Sequence, residues 1–141
     1  MVVGNHRDAW VYGAADPNSG SAVMLEVAKG LGKLVQGGWR PERTIVLGSW
    51  SGEEYGLLGS TGWAEQFAQT TLKDAVAYLN VDVGVSGTAF HASASPSLGR
   101  AVRRALTKVR DPASLKPLSE VWGNKLGTLG SGSDYTVFLD Q

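Results

Sequence analysis

The chain has 141 residues, 43% of them hydrophobic, and no cysteine. Thirteen basic residues balance thirteen acidic ones, which excludes a general electrostatic attraction to nucleic acid or to an anionic membrane. Without cysteine there is neither a disulfide framework nor a thiolate metal site, and the length allows one domain or part of one, with five tryptophans to supply a sizeable core.

In chain order, Met1–Gly4 is a short apolar run and reads as a strand already under way. Asn5-His6-Arg7-Asp8 follows at its end. A histidine two residues before an aspartate suits a metal ligand with a carboxylate nearby to orient it; an ordinary polar loop fits the same residues. Residues 9–20 form a Gly/Pro/Asn-rich loop carrying Asp16, which either starts a turn or holds a carboxylate able to bridge two metals. Ser19 is a candidate N-cap for a helix whose core stripe is Met24, Val27, Ala28, Leu31 and Val35. Gly37-Gly38 ends it.

Thr44–Trp50 reads as a buried strand, followed by Ser51, Gly52, the adjacent acids Glu53 and Glu54, and Gly56. Two neighbouring carboxylates repel each other. A cation bound by one of them, with the other left to move protons, relieves the repulsion. Acids favoured by a helix macrodipole are the plainer account. A helix is expected from about Tyr55 to Phe67, a strand over Ala75–Asn80 that leads to Asp82, and a further strand over Thr88–Ala92 carrying His91. Ser95-Pro96 caps a helix with an apolar stripe of Leu98, Ala101, Val102, Ala105 and Val109. Arg100, Arg103, Arg104, Lys108 and Arg110 give that segment a solvated basic face. Residues 110–130 read as polar loop, and Ser133 or Asp134 caps a last short helix containing Val137, Phe138 and Leu139.

Strands alternating with helices predict an α/β fold with a largely parallel sheet. His6, Asp16, Glu53, Glu54 and Asp82 then share the edge formed by the strand ends. Imidazole with carboxylates suits zinc, and two metals linked by one carboxylate form a hydrolytic arrangement.

The segments NHRDAWVYGAADPNSG, GWRPERTIVLGSWSGEEYGLLGSTGWAE, VAYLNVD and LGSGSDY, in this order and spacing, resemble the co-catalytic zinc peptidases that include glutamate carboxypeptidase II and the transferrin receptor. The resemblance implies a three-layer, aminopeptidase-like α/β fold, incomplete at both ends, with residues 1–141 a partial catalytic domain. It lacks the family's protease-associated and helical dimerisation domains. It implies His6 and Asp82 as ligands of one zinc, Asp16 as the bridging carboxylate and Glu54 as a ligand of the second zinc. Glu53 becomes the general base acting on the bridging water, Asp8 an outer partner of the ligands, and Gly132 a substrate-contacting backbone position. The implied function is metal-dependent exopeptidase action on peptides by a homodimeric parent, impaired in this chain. The alternative is a non-catalytic binding scaffold like the transferrin receptor.

The chain departs from the family pattern at several points. The second zinc's histidine lies beyond LGSGSDY in the family, and His91 is wrongly placed to substitute. Ala92 stands where the acid-selective member has an arginine, against a preference for C-terminal glutamate. Gly62 replaces one of that member's calcium-binding glutamates and only Glu65 matches, against calcium. Family members are extracellular-facing or vacuolar and membrane-anchored, whereas this chain shows neither signal peptide nor span-length apolar run, so the compartment stays open.

Overall fold

The structure is a computed structural model, and it describes residues 1–139. They form two compact units, one of residues 1–86 with 131–139, the other of residues 87–130.

The first unit is built on a three-stranded parallel sheet of β1 (Val2–His6), β2 (Val46–Trp50) and β3 (Tyr78–Asn80), in the order β2-β1-β3. The chain passes from β1 through helix α1 (Asn18–Gln36) to β2 on one side. It then crosses through α2 (Leu58–Phe67) to β3 on the other side of β1. Such a reversal of strand order opens a crevice at the carboxyl ends of the strands. β1 begins one residue later than Met1 and runs on to His6, so the histidine is the last residue of the central strand rather than part of the loop.

Side chains alternate across a strand, and the register aligns Val2 with Val46 and Tyr78, Gly4 with Gly48 and Asn80, and His6 with Trp50. This face carries the core. Val2, Trp50, Ala64 and Leu72 are buried, with Val46, Trp63, Tyr78, Val137 and Phe138 packed against them. Tyr78 stacks on Phe138 at 3.9 Å between ring centroids, and Trp50 lies 5.3 Å from Trp63. The opposite face meets α1, where Ser21 Oγ donates to Asn5 Oδ1 at 2.5 Å. Leu47 and Leu79, on that same face, stay about two-fifths exposed. β2 is therefore a half-buried edge strand, not the fully buried one its apolar run suggested.

Gly20 explains how closely α1 approaches the sheet. A Cβ there would overlap the backbone carbonyls of Val81 and Asp82, atoms that cannot move without shifting the site. We expect Gly20→Ala to destabilise the chain by about 1–3 kcal/mol, measured by urea unfolding. Asn5, 1% exposed, binds the same junction: its Nδ2 donates to Val81 O at 2.8 Å and Asp82 O at 3.3 Å.

Other expectations are corrected. α1 begins at Asn18, so Ser19 lies inside the helix and is no cap; its hydroxyl donates to Ala15 O and accepts the Gly84 N–H at 2.9 Å. Within the α1 stripe, Val27 and Val35 are 43% and 40% exposed and are not core residues. α2 starts at Leu58 rather than Tyr55, because Gly52, Gly56 and Leu57 adopt positive φ and hold residues 51–57 in turns. It continues into a wide π turn over Ala68–Leu72. The last helix is a 3-10 turn, Asp134–Phe138, without a side-chain cap; the Ser133 hydroxyl is used elsewhere, as shown below.

In the second unit, no strand forms over Thr88–Ala92; the nearest pairing is an isolated bridge between Ser93 and Gly127. Ser95 precedes Pro96 at the start of a 3-10 turn leading into α3 (Gly99–Leu106). α3 buries Gly99 and Leu106 and leaves Ala101, Ala105 and Val109 exposed, so its inner stripe is turned from the expected one. The segment expected to be loop contains a single helical turn, α4 (Leu118–Val121). His91 and the basic residues of the α3 segment are exposed. No helix among the described residues is long and apolar enough to cross a membrane.

Candidate metal centre

All three strands of the first unit point their carboxyl ends to one edge, and the predicted residues meet there. His6 closes β1, Glu53 and Glu54 follow β2, and Asp82 follows β3. Asp16 comes from the loop before α1, where the Asp16–Pro17 peptide is cis.

His6 is the centre of the cluster and is fully buried. Its Nε2 lies 3.0 Å from Asp82 Oδ1, 3.2 Å from Asp16 Oδ1 and 3.8 Å from Glu53 Oε2. Nδ1 lies 2.9 Å from the Asp8 backbone carbonyl, which can only accept, so Nδ1 carries the proton. That contact fixes the ring and leaves Nε2 as the atom that faces the acids. The Asp8 carboxylate is farther from Nδ1, at 3.6 Å. It accepts instead from the backbone N–H groups of Glu53 at 3.1 Å and Glu54 at 3.2 Å. Asp8 thus organises both sides of the site, its carbonyl holding the histidine and its carboxylate holding the Glu53-Glu54 turn.

The electrostatics are those of acids gathered around too little positive charge. Burial pushes the Glu53 carboxyl up to about 7, with Asp82, Asp134 and Glu54 adding to the rise and His6 opposing it. Burial, Asp82 and Glu54 likewise raise Asp16. Burial alone would lower His6, but the Asp82 hydrogen bond and charge, with Glu53, raise it overall. Asp8 moves the other way: burial would raise it, and the amides of Glu53 and Glu54 outweigh burial and lower it. The raised carboxyls of Glu53 and Asp16 each gain from a cation placed among them, and neutral His6 Nε2 is free to bind it. His6, Glu53 and Asp82 each offer a ligand atom within 4.8 Å of the others, so the donor set fits a metal ion.

Glu54 sits at the side of this group, with its Oε1 3.4 Å from the Trp10 N–H. Gly132 is exposed, and a Cβ there would meet nothing within 4 Å. His91 belongs to the other unit. Sequence reasoning missed two buried groups beside the acids, Ser133 and Asp134, having read one or the other as a helix cap. Ser133 Oγ donates to Asp82 Oδ2 at 2.5 Å. Asp134, wholly buried, accepts from Ser60 Oγ at 2.6 Å, and its other oxygen has no partner among the described residues. Burial raises its carboxyl. The available signal was their place in LGSGSDY, among Gly/Ser turn residues too small to be core.

A parallel α/β sheet with an imidazole and several carboxylates along its carboxyl edge places the chain among α/β proteins with a metal-competent site. The family model of Peptidase family M28 matches residues 1–141, and the chain belongs to that family. It is 48% identical over 148 residues to "Probable glutamate carboxypeptidase LAMP1" of Arabidopsis thaliana, covering 100% of this chain and 22% of that protein. It is 49% identical over 147 residues to "Probable glutamate carboxypeptidase" of Arthroderma benhamiae, covering 99% and 20%. It is 41% identical over 155 residues to "Aminopeptidase NAALADL1" of Mus musculus, covering 99% and 21%. The chain spans about a fifth of the length of these relatives.

Proposed function

We infer that the protein carrying this chain is a zinc-dependent exopeptidase acting on peptides. The observation that carries this is the convergence of His6, Asp16, Glu53 and Asp82 at the carboxyl edge of the sheet, with Glu54 beside them. His6, Asp16 and Asp82 would hold one zinc; Asp16 and Glu54 would contribute to a second. When bound, the metals polarise the scissile carbonyl and lower the pKa of water.

The chain's own residues supply the proton transfer. Glu53 is mostly buried, and its turn is held by the Asp8 carboxylate. A carboxylate held beside the metal ligands can accept a proton and release it again. Glu53 takes the proton from the attacking water and passes it to the leaving amine. Gly132, exposed on the turn before Ser133, is a place where peptide backbone can approach. The names of the relatives, carboxypeptidase and aminopeptidase alike, support peptide-bond hydrolysis and leave the cleaved end open. A binding scaffold would not need this ligand set, and every position of the set that falls within the chain is filled.

Of its two histidines, His6 belongs to the unit that carries the site and His91 to the other. Zinc prefers three or four protein ligands; the first metal has them and the second does not. We expect metal analysis of the dialysed 141-residue chain to find about one tightly held zinc per chain. Two tightly held zincs would contradict the assignment of ligands.

A further inference from the structure

Behind Asp82 lies a hydrogen-bond chain that leads back into the aromatic core. Trp50 Nε1 donates to Tyr78 OH at 3.0 Å, and Tyr78 OH donates to Asn80 Oδ1 at 2.7 Å. Asn80 Nδ2 donates to Ser133 Oγ at 2.9 Å, and Ser133 Oγ donates to Asp82 Oδ2 at 2.5 Å. The direction is set at both ends. An indole N–H can only donate, and an ionised carboxylate can only accept. Every hydroxyl and amide between them must therefore point the same way, including the orientation of the Asn80 amide. Links aligned head to tail polarise one another, and the last, onto a charged acceptor, is the short one.

The sheet is shaped to hold this chain. Gly4 and Gly48 are aligned neighbours in register with Asn80. A Cβ at Gly4 would overlap the Tyr78 hydroxyl and lie 2.5 Å from Trp50 Nε1; one at Gly48 would overlap the Trp50 ring. The indole and the phenol lie across the sheet only because both positions lack a side chain. Trp50 and Ser133 are buried, at 5% and 4% exposure, and Tyr78 is fixed by its stack on Phe138. The carboxylate at the far end is held by one oxygen, Oδ2, while Oδ1 faces His6 Nε2 at 3.0 Å.

We propose that Ser133, backed by Asn80, Tyr78 and Trp50, is a positioning residue that presents Asp82 Oδ1 to the metal by holding Oδ2. This rests on the metal-centre reading above. It assigns Ser133 a role other than capping the final turn, and it links the packing of the core to the geometry of one ligand.

The test is a zinc titration of the full 141-residue chain by calorimetry, with near-UV circular dichroism to confirm folding. Groups that orient a ligand from behind are typically worth about 10–100-fold in metal affinity, and Ser133→Ala is expected to lose about that much. Ser133→Thr keeps the hydroxyl and is expected to recover most of the affinity. Tyr78→Phe keeps the ring stack and breaks the chain two links back; a loss of about threefold is expected because the effect passes through intervening groups. If Ser133→Ala does not fold, Tyr78→Phe against wild type decides alone. Wild-type affinity in a folded Ser133→Ala, or in Tyr78→Phe where that variant decides, overturns the relay and leaves the metal centre standing. Equal losses in Ser133→Ala and Ser133→Thr would show that volume matters and not the donor, which also overturns it. A wild-type chain that takes up no zinc overturns the metal reading and the relay with it.

Discussion

Replacing Glu53 by Gln is expected to lower peptide hydrolysis by about 10²–10⁴-fold, the usual worth of a positioned general base, with zinc content unchanged. The measurement is kcat on a peptide substrate beside metal analysis, in a protein carrying this chain at the length of its relatives. Gln matches Glu in shape, and its backbone N–H still reaches the Asp8 carboxylate, so the turn and the neighbouring Glu54 stay in place. What is lost is the site that accepts the proton. A cation among these acids favours their ionised forms, so the acid limb of kcat/KM should fall below the value of about 7 that burial imposes on Glu53 without metal. Loss of zinc together with activity would make Glu53 a ligand instead of a base. Its 3.8 Å approach to His6 Nε2 makes that a real alternative outcome. Retained activity would remove it from the mechanism altogether.

The part of the site that could be read from the sequence is the part carried by the backbone. Parallel strands bring their ends to one edge whatever lies between them, so His6, Glu53, Glu54 and Asp82 could be placed together from strand assignments alone. Asp8 was harder. Its proximity to His6 was readable, but a two-residue spacing does not say whether carbonyl or carboxylate meets the ring, and here the carbonyl does. Ser133 could not be found this way. A serine before an aspartate at the head of a short helix carries a capping signal, and its actual partner lies 51 residues away. The helical stripes failed for a related reason. Periodicity identifies an apolar face but not whether anything covers it, and Val27 and Val35 are apolar positions that this unit leaves open. The strand expected over Thr88–Ala92 had β-branched and aromatic residues but no partner strand among the described residues, and propensity without pairing does not make a strand.

Metal-free chain is expected to lose stability as pH rises from about 4.5 to 8, and zinc is expected to abolish that loss. The sign follows from the direction in which each group is displaced. Glu53 is raised from its ordinary 4.5 to about 7, so the folded state holds a proton that the unfolded state has already released. Stability is then greatest below the unfolded value and declines until pH passes the folded one. The displacement acts on a folded state whose total margin is typically only about 5–15 kcal/mol. Asp16 and Asp134 are displaced in the same direction. His6 is raised as well, and a raised histidine also contributes stability at low pH that is lost as pH climbs through its folded value. Asp8 opposes them, being lowered, but its contribution is lost only in acid, below the ordinary aspartate range. Thermal melts of the dialysed chain at pH 5.5 and 8 should therefore show the lower Tm at pH 8. Saturating zinc should raise the pH 8 value most, because metal binding requires the ionised acids and neutral Nε2 that high pH provides. A metal-free Tm that is flat or rises over this range would mean that the acids are not crowded around His6 as their distances show, and the case for a cation at the sheet edge would fall with it.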